Sequence, residues 1–283
     1  MNAGTPLPQA DANLPPGRVV LVGAGPGSVD LLTLKAARLI AEADWLVHDA
    51  LVRPEVLALA TRARIIGVGK RAGRKSTRQD DINRTLIDCA RRGGLVVRLK
   101  GGDPLIFARA REELDALREA GIPVEVVPGI TTAQAAHAAL AAPMTERGER
   151  RSMVFATPQV QASASGPGAG AEVQWARALV NAGGGALYMA STVAARTRAT
   201  LLSLGMPADT PATWVVNVSL PTQAVLATTL GSLGSLPAGH AGQPALLLLG
   251  TAVPAPVEVT CAASFSRDVA QSIREPATAT LPA

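Results

Sequence analysis

Three short loops in the first half of the sequence combine glycine with side chains that can hold a ligand. They are residues 23–27 (GAGPG), 100–104 (KGGDP) and 128–133 (PGITTA), and each directly follows an apolar run typical of a buried strand. Glycine lets a ligand approach the backbone closely, and Asp103 can accept hydrogen bonds from ligand hydroxyl or amino groups. Because the carboxyl ends of parallel strands share one edge of a sheet, we expect the three loops to line one ligand site.

Each loop also has a second interpretation. The first loop could bind a dinucleotide, with Asp49 at the end of the next strand as the ribose-binding acid. Position 28 is Ser instead of the third glycine of that motif, and Pro26 lacks an N–H, so a tight turn without cofactor contact is the alternative. The second loop could be a strand-to-helix turn with an Asp N-cap, and the third could cap a helix.

A cluster of cations lies between the first two of these loops in the sequence. Residues 70–78 (KRAGRKSTR) contain five of them, and the chain has a net charge of +5. The alternatives are a solvated loop and a clamp for a polyanionic substrate, to which five arginines elsewhere could contribute. Those arginines are Arg109, Arg111, Arg147, Arg150 and Arg151.

The composition argues against several classes of protein. Two cysteines and three scattered histidines predict neither a disulfide framework nor a metal site. An aromatic content of 2% argues against a stacking surface for nucleic acid. The sequence has no apolar stretch of about 18 residues and no apolar segment near its start, so we predict a cytoplasmic protein without a membrane partner.

Strand patterns alternate with helical patterns along the chain, which predicts an α/β fold. The predicted strands are 19–22, 45–48, 65–68, 95–99 and 124–127, followed in the second half by 153–156, 186–189, 212–218, 224–228 and 245–249. Phe107, Ala110, Leu114 and Leu117 recur at helical spacing and predict one of the intervening helices. We expect a flexible lead over 1–16, lobes over 17–147 and 148–254, and a weakly ordered tail over 255–283.

The motifs together resemble the uroporphyrinogen-III C-methyltransferase family, within the wider group of tetrapyrrole (corrin and siroheme) methyltransferases. The segments that carry the resemblance lie between Val19 and Gly250: VGAGPGSVDLLTLKAARLI, VGKRAG, VVRLKGGDPLIF, AGIPVEVVPGIT, Tyr188-Met189 and PALLLLG. The order of VGKRAG and RLKGGDP is specific to this family, whereas GAGPG is shared by the wider group.

The resemblance implies two α/β lobes, with a mainly parallel sheet in the first and a mixed sheet in the second. It implies S-adenosyl-L-methionine as the cofactor, bound in the cleft between the lobes and released as S-adenosyl-L-homocysteine. The implied reaction is C-methylation of uroporphyrinogen III at C2 and C7 to give precorrin-2, for siroheme or cobalamin biosynthesis. The implied assembly is a homodimer.

The resemblance also assigns site residues. Asp49 and Lys70 match the proton acceptor and the proton donor, and Arg109, Glu112 and Arg147 match positions on the substrate side. The residues that match cofactor contacts are Pro26, Gly101, Gly102, Asp103, Ile106, Thr131, Thr132, Met189, Val218 and Ala245.

Several positions depart from the family pattern, most of them on the expected substrate side. They are Ala50, Ala108, Ala110, Arg111, Glu146, Pro158 and Gln159, with Val218 where a smaller residue is usual. Two further classes of activity therefore stay open, a methyltransferase acting on a later precorrin and an NAD-dependent oxidoreductase. A non-catalytic tetrapyrrole- or cofactor-binding protein is the remaining hypothesis.

Overall fold

The computed structural model describes residues 17–68, 78–159 and 171–252. They divide into two compact units, the first ending at Ile130 and the second beginning at Thr131. The lobes expected over 17–147 and 148–254 stay a prediction. Lys70, the expected lead over 1–16 and the expected tail over 255–283 lie outside the described residues.

The first unit is built on a parallel sheet of five strands in the order β3-β2-β4-β1-β5. Val20 on the central strand pairs with Val97 on one side and Glu125 on the other. The apolar runs form these strands because both faces of a parallel sheet are covered. The strands are β1 (Arg18–Gly23), β2 (Trp45–His48), β3 (Arg64–Gly67), β4 (Leu95–Lys100) and β5 (Val124–Val127).

Amphipathic helices connect these strands, namely α1 (Leu34–Glu42), α2 (Pro54–Leu57), α3 (Gln79–Arg91) and α4 (Ala110–Glu119). The Thr33 hydroxyl accepts a hydrogen bond from the Ala36 N–H and caps α1, and α3 buries Ile82, Leu86 and Cys89. The expected helix around Phe107 begins later than predicted. Phe107 has a φ of 50°, which a helix interior excludes, so α4 starts at Ala110.

The second unit contains a mixed sheet in the order β6-β7-β10-β8-β9, in which only β6 and β7 pair in parallel. Its strands are β6 (Val154–Ala156), β7 (Gly185–Leu187), β8 (Pro211–Val216), β9 (Ala224–Thr229) and β10 (Ala245–Leu249), and its helices are α5 (Thr132–Ala139), α6 (Ala171–Ala182) and α7 (Ala194–Ser203). The predicted α/β fold, with a parallel sheet followed by a mixed one, is confirmed.

Two features are absent from residues 17–68, 78–159 and 171–252. None of their helices has the length and apolarity needed to cross a membrane. None of their His, Cys, Asp and Glu side chains group in a way that could hold a metal ion.

Burial raises the pKa of the Cys89 thiol to about 12, with Asp88 adding to the rise and Arg92 opposing it.

His137 gives the second unit a dependence on pH. The ring is buried in α5, and its Nδ1–H donates to the Ala142 carbonyl over 3.0 Å. Among the described residues, Nε2 has no hydrogen-bond partner. Burial lowers the pKa of His137; the Ala142 bond opposes this, and the Arg150 charge lowers the pKa further.

We therefore expect stability that is fully present above the ordinary histidine pKa of 6.5 and is lost as the pH falls toward the lowered pKa of His137. The unfolded chain takes up a proton in that range and the folded chain does not. The measurement is the free energy of unfolding in urea at about pH 7.5 and about pH 5. His137→Phe should reduce the difference between the two values, whereas His240→Gln, at a partly exposed position, should leave it unchanged. An equal difference in all three proteins would contradict this prediction.

Candidate functional site

Three strand-end loops of the first unit meet through their backbones. Gly25 and Gly102 form a two-way bridge, with the Gly102 N–H donating to Gly25 over 2.7 Å and the Gly25 N–H returning a bond of 3.2 Å. Both glycines have left-handed φ angles, 68° and 65°. The Ala24 N–H donates to the Lys100 carbonyl over 2.7 Å. The loops after β1 and β4 are therefore one hydrogen-bonded structure, as expected from their place in the sheet.

Close packing explains two further glycines. A Cβ at Gly129 would lie 2.3 Å from the Gly102 oxygen, and one at Gly23 would lie 2.6 Å from the Gly129 Cα. Any side chain at either position would push the loops apart. The loop after β5 thus joins the other two only because these residues are glycine.

Gly101 is different, because neither packing nor backbone conformation requires glycine there. Its φ is outside the left-handed region, and an added Cβ would meet only the Leu51 Cβ, at 3.8 Å. The residue is half-buried. The missing side chain therefore leaves open space beside the backbone, as a ligand that lies against the loop requires.

Asp103 ties the second loop to the third. Its Oδ1 accepts the Leu105 N–H over 2.8 Å, and its Oδ2 accepts the Gly129 N–H over 3.0 Å. The turn-capping role considered from the sequence is therefore present, together with a bridge between loops. A carboxylate oxygen has more than one lone pair, so these bonds leave acceptor capacity for a ligand.

A buried charge cluster lies beneath Asp49. Arg98 Nη2 donates to Asp49 Oδ1 over 2.6 Å and to Glu113 Oε1 over 3.0 Å. Lys100 Nζ reaches the same Glu113 oxygen over 2.8 Å. Glu113, Arg98 and Lys100 are at most 3% exposed at the side chain, whereas Asp49 is 32% exposed. Asp49 is thus an accessible carboxylate held by a buried guanidinium.

Sequence reasoning did not assign Arg98, Lys100 or Glu113 to the site, although a pattern pointed to them. Arg98 and Lys100 are two cations on one face of a buried strand, two residues apart. Such a face needs an anion on the covering helix, since an unpaired buried charge is strongly destabilising. Glu113 supplies that anion from the buried face of α4, which also carries Ala110 and Leu117.

Arg109 and Glu112 form a two-bond ion pair at the start of α4. Arg109 Nε and Nη2 donate to the two Glu112 oxygens over 2.7 and 2.6 Å. Hydrogen bonding to the Glu112 carboxylate raises the pKa of Arg109, and both side chains are about half exposed. A groove of about 420 Å³ is lined by Arg109 together with Leu105, Phe107, Arg111 and Arg118. Cations and exposed apolar side chains thus share one surface.

In the second unit, Tyr188 connects β7 to the first turn of α5. Its hydroxyl lies 2.6 Å from Thr131 Oγ1 and accepts the Ala133 N–H over 3.2 Å. Met189 follows with 48% exposure, and its carbonyl accepts a 3.1 Å bond from Gln159. Thr131 is buried and Thr132 is half-buried. Tyr188 thus links the segment that carries Thr131 and Thr132 to the segment that carries Met189.

Val218 and Ala245 lie at the same end of the strands of the mixed sheet. Ala245 pairs with Val216 at the end of β8, and the Asn217 N–H donates to the Pro244 carbonyl over 2.9 Å. Since β10 runs antiparallel to β7 and β8, its start lies at the end of the sheet where Met189 follows β7. Three expected cofactor residues of the second unit, Met189, Val218 and Ala245, thus lie at the same strand ends.

Left-handed backbone conformations are concentrated at the expected site residues. The non-glycine residues with positive φ in the described ranges are Phe107, Arg109, Ala141, Met189, Asn217 and Ser219. Ala141 follows the end of α5, a usual place for this conformation. Each of the others is an expected site residue or adjoins one. Such conformations cost about 1–3 kcal/mol each and occur preferentially at functional sites.

The remaining expected residues are placed less informatively. Pro26 and Ile106 are half-buried in the first unit, beside Gly25 and Asp103. Arg147 is exposed in the second unit, within a turn closed by pairing between Glu146 and Arg150. No described contact links Arg147 to the other substrate-side residues.

Comparison with known proteins gives a consistent result. The model of the tetrapyrrole (corrin/porphyrin) methylases matches residues 18–234. A siroheme synthase of Zymomonas mobilis is 42% identical over 235 residues, which is 83% of this chain and 48% of the relative. A siroheme synthase of Aeromonas hydrophila is 41% identical over 84% of this chain and 49% of its own length. The chain therefore spans about half the length of these curated relatives.

Solved structures match along most of their length. A uroporphyrin-III C-methyl transferase from Thermus thermophilus, solved in complex with S-adenyl homocysteine, is 35% identical with a TM-score of 0.68, over 83% of this chain and 97% of that chain. A cobalt precorrin-4 methyltransferase is 25% identical with a TM-score of 0.69, over 82% of this chain and 94% of that chain.

Two alanine substitutions should separate packing from ligand space among the loop glycines. Gly129→Ala should lower the free energy of unfolding by about 2–3 kcal/mol, because its Cβ would overlap the Gly102 oxygen. Gly101→Ala should change it by less than about 0.5 kcal/mol. Denaturant unfolding of the two variants measures both values, and equal losses would contradict the distinction.

Proposed function

Because the chain belongs to the tetrapyrrole (corrin/porphyrin) methylase family, we propose that it is an S-adenosylmethionine-dependent uroporphyrinogen-III C-methyltransferase. The proposed reaction methylates C2 and C7 and gives precorrin-2. The Thermus thermophilus enzyme of that name supports the substrate, and its complex with S-adenyl homocysteine supports the cofactor. The siroheme synthases among the relatives support the siroheme branch.

The open space at Gly101 carries the proposal. It lies in a loop fixed by the bridge between Gly25 and Gly102 and by the Asp103 bonds, so the loop backbone is preorganised. Gly101, Gly102, Asp103 and Ile106 of the first unit would contact the cofactor. The matching residues of the second unit, Thr131, Thr132, Met189, Val218 and Ala245, stay a prediction. When bound, S-adenosylmethionine supplies an electrophilic methyl group on a sulfonium centre.

The same loops do not favour a dinucleotide. The Gly25 N–H is bonded to Gly102, and Pro26 has no N–H to offer a pyrophosphate. A short 3-10 turn (Val29–Leu31), capped by Ser28, follows the loop, and α1 begins only at Leu34. The helix N-terminus that usually binds the pyrophosphate is therefore not joined directly to the glycine loop. These observations argue against the NAD-dependent oxidoreductase.

The groove beside α4 suits a macrocycle that carries carboxylates. Leu105 and Phe107 offer exposed apolar surface. The groove also contains three cations, Arg109, Arg111 and Arg118, and one anion, Asp115, with which Arg111 and Arg118 both pair. Arg109 is oriented by Glu112, so its guanidinium is held in position before substrate arrives. Arginine favours bidentate carboxylate recognition, so we propose that the substrate's propionate and acetate groups bind here.

The protein contributes positioning and a proton acceptor to the proposed reaction. The reacting pyrrole carbon must be held in line with the methyl group, and fixed geometry of this kind supplies a large part of the rate enhancement. The Asp49 carboxylate, accessible and held by Arg98, is placed to take a proton from the methylated macrocycle. Lys70, the matching proton donor, stays a prediction.

A later precorrin is the second candidate substrate. The similarity to a cobalt precorrin-4 methyltransferase supports it, because one fold serves both substrates. Arg111, 91% exposed where the family pattern has glycine, adds a cation to the groove and could change the preference. Incubation with each macrocycle distinguishes the two.

The homodimer also stays a prediction, which light scattering tests.

Purified protein should transfer the labelled methyl group of S-adenosylmethionine to uroporphyrinogen III. Arg109→Ala should lower kcat/KM by about 100-fold, because the propionate-binding guanidinium is lost. The dissociation constant for S-adenosylhomocysteine should change by less than about threefold. Arg84→Ala, on the exposed face of α3, is the matched control and should leave both values unchanged. Absence of label from the macrocycle would refute the proposed substrate.

Gly101→Ala should weaken S-adenosylhomocysteine binding at least about tenfold, because the new methyl group fills the proposed cofactor space. Isothermal titration calorimetry measures the affinity, and Gly234→Ala, whose Cβ would meet nothing within 4 Å, is the control. Wild-type affinity in the Gly101 variant would place the cofactor elsewhere.

A further inference from the structure

The buried cluster beneath Asp49 has an unusual distribution of hydrogen bonds. Glu113 Oε1 accepts from Arg98 Nε and Nη2, from Lys100 Nζ and from Gln79 Nε2, at distances of 2.8–3.2 Å. In the described part of the chain, the second oxygen, Oε2, accepts nothing although it is buried. Glu113 therefore acts through one oxygen, as a point of negative charge between two cations.

The cluster is balanced in charge. Arg98 and Lys100 carry two positive charges, and Asp49 and Glu113 carry two negative ones. Burial opposes the charge on Arg98, yet the carboxylates of Asp49 and Glu113 raise the pKa of Arg98. Burial lowers the pKa of Lys100, and the Arg98 charge lowers it further. Without Glu113, both cations would bear on Asp49 alone.

We propose that Glu113 is a positioning residue for Asp49, acting through Arg98. Glu113 and Asp49 share the Nη2 of Arg98, so Glu113 fixes the guanidinium that in turn holds the Asp49 carboxylate in place. This inference rests on the proposed function only in giving Asp49 a catalytic role.

Other ionisable groups surround the cluster. On β2, the His48 ring is buried, and its Nδ1 lies 2.9 Å from the Asp49 carbonyl oxygen. On α4, the Glu113 charge contributes to the raised pKa of Arg109. On α3, Gln79 contributes a neutral donor. Lys70 lies outside the described residues, and every variant below keeps these groups unchanged.

Glu113→Gln isolates the charge. The amide oxygen can retain all four donors, and the amide nitrogen replaces the oxygen that accepts no bond among the described residues. Glu119→Gln, the same change at an exposed position on the same helix, is the matched control. Lys100→Met removes one cation, and the Glu113→Gln/Lys100→Met double variant restores the balance.

The first measurement is the ¹³C chemical shift of the Asp49 carboxylate at one fixed pH, which is independent of activity. In Glu113→Gln this resonance should move away from its wild-type position, because Arg98 loses the carboxylate that it shares with Asp49. In Lys100→Met the resonance should also move, and in the double variant it should return toward the wild-type position. Glu119→Gln should match wild type.

The second measurement is methyl transfer. Glu113→Gln should lower kcat at least about tenfold and shift the acidic side of the pH profile of kcat to lower pH. The affinity for S-adenosylhomocysteine should stay within about threefold of wild type. The double variant should recover part of kcat. If Glu113 had only a structural role, Glu113→Gln would lower thermal stability without shifting the pH profile of kcat.

The outcomes separate the two proposals. A wild-type protein that does not methylate refutes the proposed function, and the Asp49 carboxylate resonance still decides the role of Glu113. An unchanged resonance in Glu113→Gln and Lys100→Met overturns the inference. If Glu113→Gln fails to fold, Lys100→Met decides alone, and an unchanged Asp49 resonance there overturns it.

Discussion

Direct backbone contact between strand-end loops is the constraint on which the first unit's candidate site depends. Gly23, Gly102 and Gly129 approach so closely that no side chain fits between them. The loops after β1, β4 and β5 can therefore share one edge of the sheet, and Asp103 can bond to the loop after β5. Because the loops are held by backbone atoms, side chains that face a ligand are left free to differ.

Electrostatics imposes a second constraint, because charges buried under the sheet must be paired within the unit. Arg98 resolves this by contacting Glu113 inside and Asp49 near the surface. The position of Asp49, at the exposed end of the cluster, therefore depends on Glu113 at its buried end. Arg109 and Glu112 form a second, half-exposed pair that shares no hydrogen bond with the Arg98 cluster among the described residues.

The fold could be predicted from the sequence because apolar runs bounded by glycine are strong local patterns. The predicted β2 and β5 agree with the structure at both ends. The start of α4 could not be predicted, since neither Phe107 nor Arg109 is a residue type that marks a left-handed conformation. The motif loops were found from the sequence, but Glu113 was not. Its partners are 13 and 15 residues away in the chain, and only packing of α4 on β4 brings them together.

Tyr188 is the only tyrosine in the chain, and its hydroxyl lies against Thr131 at the start of α5. A probe that is specific for tyrosine therefore reports on one position in the chain. A ¹⁹F-labelled tyrosine would give one resonance, assigned without mutagenesis, from the residue that precedes Met189. The fold thus contains its own reporter for events at the start of α5.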